Sequence, residues 1–153
     1  MRSYSCCDSN EIGHVDLNGD RVWAGAWRND AYPSYRGTYI MLVDPVTCTV
    51  QGEIQSAKYG DLVSYIEGLS DGAIVVGVTA NEPTMYLPDT LIATLDELGV
   101  SADGLEYRGT FGFVAQKGSP EKTVQRKVAS AAESLSNPAQ FVADLSGCIF
   151  IMM

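Results

Sequence analysis

Two segments constrain the fold of this chain more than anything else in it: residues 38–44, Thr-Tyr-Ile-Met-Leu-Val-Asp, and residues 73–79, Ala-Ile-Val-Val-Gly-Val-Thr. Both are nearly uninterrupted apolar runs rich in β-branched residues, and both are too short for a core helix. A strand with one wet face alternates apolar and polar side chains, whereas a strand without that alternation is covered on both faces. The chain must therefore supply a layer on each side of these two strands. Its 153 residues, 46% of them apolar, suffice for one domain with a substantial core. Nothing in the composition marks a second domain, so residues 1–153 read as a single unit.

The remaining elements follow from turn and period signals. Residues 1–13 read as an irregular arm. His14 to Leu17 and Arg21 to Trp27 form a hairpin about Asn18-Gly19, a dipeptide that tolerates the positive φ angles of a tight turn. The spacing Asp16-x-Asn18-x-Asp20 resembles a calcium loop, but Arg21 stands where glycine is required and Trp27 where a bidentate glutamate is required. Residues 49–54 return after the first apolar strand. Residues 61–69 have a near-helical apolar period, with Asp61 placed to favour the N-terminus. Pro88 opens a second helix with Leu91, Ile92, Leu95 and Leu98 in one stripe, and Gly99 closes it. Residues 105–115 and 122–128 read as strands, and residues 138–153 as a terminal extended pair. The expected class is α+β: packed β-sheets with short helices on the outside.

The formal charge of −9 disfavours a phosphate backbone as partner. Lys117, Lys122, Arg126 and Lys127 form the densest basic group, interrupted by Glu121, and read as a solvated strand face. No run of about 18 apolar residues is present, so no membrane insertion is expected. Residues 1–7 contain no secretory apolar stretch. Cys6, Cys7, Cys48 and Cys148 share a single histidine, His14, and lack CxxC spacing, so no metal site is expected. Two states of the cysteines remain open: buried thiols, or a bridge from Cys6 or Cys7 to Cys148 that ties the chain ends together.

Catalytic constellations are missing. One histidine outside a Gly-x-Ser-x-Gly context supports no Ser-His-Asp relay, and there is no glycine-rich phosphate loop and no cofactor motif. Asp44, Glu82 and Asp89 are the carboxylates to consider for sugar hydrolysis, with solvated surface acids as the simpler reading. The expectation is a binding or assembly domain, not an enzyme. Three loops instead set a polar group beside glycine, proline or an aromatic: Tyr35-Arg36-Gly37, Asn81-Glu82-Pro83 and Tyr107-Arg108-Gly109-Thr110-Phe111. If the strands they flank are neighbours, Arg36, Asn81, Glu82 and Arg108 converge at one sheet end with the aromatics of these loops beside them. Bidentate polar groups and an aromatic face together suit sugar hydroxyls and the apolar side of a ring; the equal alternative is that each arginine pins its own loop by bonding backbone carbonyls.

The ordered set of Arg36-Gly37 with the strand to Asp44-Pro45, Ser70-Asp71-Gly72 with its strand, Asp96-Glu97-Leu98-Gly99, Tyr107-Arg108 with Phe111-Gly112-Phe113, and Lys117-Gly118-Ser119-Pro120 resembles the interleukin-like EMT inducer (ILEI) domain. The likeness spans residues 35–120. That family includes the pancreatic-derived-factor cytokines and the stem domain of protein O-mannose N-acetylglucosaminyltransferase, and domains of this type also occur in viral and phage proteins. The resemblance implies a lectin-like fold of two packed β-sheets with flanking helices and no catalysis. It implies glycan contacts at Arg36, Asn81 and Arg108, with Phe111 as the aromatic. Asn81 stands where the family has an acid, Phe111 where it has tryptophan, and Gly109 where it has aspartate. The Gly147-Cys148 ending resembles that of the cytokines, whose last cysteine is bridged to the N-terminal region. An acidic, small chain without an export signal is expected to be a virion component, made in the host cytoplasm. Its expected partners are a glycan or glycoprotein and either other virion proteins or further copies of itself.

Overall fold

A computed structural model describes residues 11–26, 37–57, 60–80, 84–106, 109–128 and 141–152. Among the described residues, nine strands form two antiparallel sheets. The first hairpin pairs β1 (Glu11–Leu17) with β2 (Asp20–Ala26), so the strand begins three residues earlier than its apolar pattern indicates, inside the expected arm. Asn18 and Gly19 both hold positive φ, 50° and 89°. That is the geometry of a two-residue hairpin turn. The chain then supplies β3 (Gly37–Val43), β4 (Val50–Ser56), β5 (Ile74–Ala80), β6 (Thr110–Gln116) and β7 (Val124–Val128). It ends in the hairpin of β8 (Phe141–Leu145) and β9 (Cys148–Met152). The four-stranded sheet runs β2-β1-β9-β8 and the five-stranded sheet β4-β3-β5-β6-β7.

The two continuous apolar runs are β3 and β5, adjacent and inside the five-stranded sheet. Strand alternation sends their side chains into two different cores. Met41 and Val43 of β3, Ile74, Val76 and Val78 of β5 and Val114 of β6 meet Val15, Leu17, Ala143, Leu145, Phe150 and Met152 of the other sheet. On the opposite face, Ile40, Val75, Phe111, Phe113 and Ala115 pack under α1 (Leu62–Glu67) and α2 (Asp89–Glu97). The order is thus sheet, sheet, helix layer, which explains why these strands show no polar face.

Local chemistry sets the helix ends. Asp61 accepts the Ser64 N–H at 3.1 Å and its hydroxyl at 2.8 Å, capping α1. Lys117 Nζ donates to the Ile66 carbonyl at 2.7 Å at the other end of the same helix. In α2, Leu91, Leu95 and Leu98 are buried and Ile92 half-buried. Gly99 ends the helix at φ 83°, a left-handed conformation common at helix C-termini. One glycine is required inside β5: a Cβ on Gly77 would stand 2.1 Å from Cε1 of Phe113, whose ring covers that position.

Both states left open for Cys148, a buried thiol and a bridge to Cys6 or Cys7, are corrected. Cys148 is joined to Cys48 with Cα atoms 5.5 Å apart, so neither Cys6 nor Cys7 is its partner. Those two cysteines lie outside the described residues. The physical reason is the sandwich itself. Stacking the sheets sets the first residue of β9 beside the β3–β4 turn, at a sequence separation of 100 that leaves no local trace. The bridge ties one sheet to the other.

Candidate functional site

The strand register decides which loops can meet. Gly37 pairs with Ala80 and Thr38 with Thr79, so the start of β3 lies beside the end of β5. Val78 pairs with Gly112, which brings the start of β6 to the same rim. The neighbour condition set out for the three loops is therefore met by the order β3-β5-β6. Arg36, Asn81, Glu82 and Arg108 themselves lie outside the described residues. What is fixed is the backbone from which they leave: Arg36 precedes Gly37, Asn81 follows Ala80, and Arg108 precedes Gly109.

That backbone is held in place. The β5–β6 ladder stops at Val78–Gly112, and the Phe111 N–H is taken instead by Thr79 Oγ1 at 3.1 Å. Gly109 is buried, its N–H bonded to the Glu106 carbonyl at 2.8 Å. Thr38, fully buried opposite Thr79, accepts the Ala57 N–H on its carbonyl, while its Oγ1 has no hydrogen-bond partner among the described residues. Gly37 adopts φ 111°, and a Cβ there would lie 3.3 Å from Cδ2 of Tyr86. Positive φ of this kind suits glycine, which has no Cβ to clash.

Phe111 does not take the role expected of it. Its side chain is 2% exposed and belongs to the core beneath the helices. Its ring stacks with that of Phe113 at a centroid distance of 6.2 Å and 10° between planes. Residues two apart on a strand share a face, and here that face is the covered one. Phe111 is a packing residue with no surface to offer a sugar.

Tyr86 is an aromatic that sequence reasoning passed over. It sits in a short 3-10 turn, Thr84–Tyr86, where no periodic signal points to it. Half-buried, it borders a cleft of about 110 Å³ whose walls include Ala57, Asp61, Leu62, Thr90 and Leu91. The hydrogen bonds from Ser64, first its backbone N–H and then its hydroxyl, hold the Asp61 carboxyl below the usual aspartate range, so it is ionised near neutrality.

Of the carboxylates considered for catalysis, Asp44 is held by hydrogen bonds. Asp44 Oδ1 accepts the N–H groups of Val46 at 2.7 Å and Thr47 at 3.1 Å, and Oδ2 accepts the Gln51 amide at 3.1 Å. These bonds, with the Thr47 N–H foremost, lower its pKa. Asp44 follows the far end of β3, roughly 20 Å from Gly37 at about 3.4 Å per residue. Asp89 is the first residue of α2, and Glu82 lies outside the described residues. In the basic group, Lys122 Nζ bonds Gln116 Oε1 at 3.3 Å, and Lys127 Nζ bonds the Asp103 carbonyl and, at 3.4 Å, Ser101 Oγ. These cations brace neighbouring segments.

Comparison with curated proteins yields no match. The family model described as "Interleukin-like EMT inducer" matches residues 36–119, from the residue before β3 to the turn after β6, more than half of the 153 residues. The chain belongs to the interleukin-like EMT inducer family.

Proposed function

We propose that this chain is a non-catalytic, lectin-like module that binds a glycan at the rim where β3 begins, β5 ends and β6 begins. The observation that carries the reading is the register: Gly37 opposite Ala80, and Val78 opposite Gly112, bring the chain points next to Arg36, Asn81, Glu82 and Arg108 to one sheet edge. Two guanidinium groups supply donors in a fixed fork, and Asn81 both donates and accepts, a set suited to vicinal hydroxyls. A glycan array probed with wild type, Arg36→Ala and Arg108→Ala tests it. Retention by wild type and loss in both variants is expected. An array that stays dark for wild type, or signals that both variants retain, would overturn it. The setting we propose is display on a virion, as a fibre, decoration or tail component touching host glycans. The cross-sheet disulfide suits work in an oxidising medium.

One observation favours a second reading, a purely structural virion subunit. Val142 and Ile149 are 64% and 45% exposed on the outer face of the four-stranded sheet, with Ile151 half-buried and paired to Val142. Exposed apolar groups gathered on one face suit contact with other subunits. If this reading holds, Val142→Lys changes the oligomeric state seen by mass photometry while the array stays dark for wild type.

A further inference from the structure

We propose that the cleft beside Tyr86 is a second, adjoining sugar subsite that takes a neutral unit, so that the ligand is a saccharide of at least two units rather than a single sugar. The inference rests on the carbohydrate reading of the rim. Phe111, the aromatic that the resemblance implies, is stacked inside the core and offers the rim no face. Tyr86 supplies one a single residue away from Arg36, because its ring lies against Gly37, where even a Cβ would come within 3.3 Å. Gly37 thus serves both sides, as the first residue of β3 and as the surface on which the tyrosine ring rests.

The cleft has the chemistry of a sugar edge. Ala57, Leu62 and Leu91 give it an apolar lining for C–H groups. Asp61 supplies an acceptor: each carboxylate oxygen takes one hydrogen bond from Ser64, which leaves about two of its roughly four lone-pair sites for hydroxyl donors. The cleft holds about 110 Å³. A cavity of about 150 Å³ takes one benzene ring, so the space is smaller than a whole six-membered ring requires. That admits a hydroxymethyl arm and one edge of a ring, not a whole hexose, so the rest of the unit lies over Tyr86 toward the rim. The Asp61 carboxylate disfavours a carboxylated or sulfated unit inside the cleft itself. The carbonyl of Thr38 holds the cleft residue Ala57, and the buried Thr38 Oγ1 has no hydrogen-bond partner among the described residues. Buried hydroxyls in that state are uncommon, and each one calls for a reason.

The test is an NMR titration of amide signals with the methyl glycosides of glucose, galactose and mannose and with cellobiose, lactose and mannobiose. One disaccharide is expected to bind about tenfold tighter than its methyl glycoside and to move Gly60, Tyr86 and Thr90 as well as Gly37 and Gly109. Tyr86→Ala removes that gain. Because Tyr86 also packs on Gly37, Thr90→Tyr, which fills the cleft from an exposed position, provides the second variant and has the same effect. Equal binding of mono- and disaccharide, with shifts confined to Gly37, Ala80 and Gly109, overturns the subsite and leaves the rim intact. No shift with any of the six sugars overturns both.

Discussion

Replacing Cys48 by serine should cost this protein a large share of its stability. Cys48 is half-buried in the β3–β4 turn and tolerates a hydroxyl, while Cys148, fully buried, is left as a thiol that packs as a small apolar group. The bridge spans 100 residues. A loop of that length corresponds to about 4.7 kcal/mol of unfolded-chain entropy in the loop-closure model. Unfolding entropy of about 2.1 cal/mol/K per residue gives ~0.3 kcal/mol/K for the whole chain, so Tm should fall by roughly 10–15 °C. Thermal melts by circular dichroism read the difference, with peptide mapping of oxidised wild type to locate the bridge. A Tm for Cys48→Ser within about 2 °C of oxidised wild type would refute the reasoning. A map joining Cys148 to Cys6 or Cys7 would refute the pairing.

Gly77→Ala inserts a methyl 2.1 Å from Phe113. It should destabilise by about 1–3 kcal/mol, read as a lower midpoint in urea without a changed slope. Phe111→Leu should destabilise by about 1 kcal/mol, which lowers the same midpoint, and leave any glycan signal unchanged, because the side chain meets the helices and not the ligand. Asp44 and Asp61 have pKa values lowered from 3.8 by hydrogen bonds made only in the folded chain. Their contribution is therefore full above the unfolded value and is lost as pH falls below 3.8 through the folded ones. Urea midpoints against pH should fall in that window, and the fall should flatten in Asp44→Asn/Asp61→Asn, where the second change keeps a capping residue.

Local pattern decided a good deal here. Unbroken apolar runs announced β3 and β5 as strands covered on both faces, Asn18-Gly19 announced a hairpin, and the stripe from Leu91 to Leu98 announced α2. These signals lie within a few residues of one another, where backbone sterics and side-chain period act directly. Three features are not local, and tertiary structure alone decided them. Period two says that Phe111 and Phe113 share a face but not that helices cover it. Cysteine spacing does not say that β9 starts beside the β3–β4 turn, which follows from stacking one sheet on the other. Nor does a tyrosine in a three-residue turn reveal that it will lie on Gly37, because that contact exists only once the connection after β5 returns along the start of β3. Sequence determines which segments are strands and helices through neighbours along the chain. Which faces are buried, which cysteines meet and which aromatic borders a cleft depend on neighbours in space.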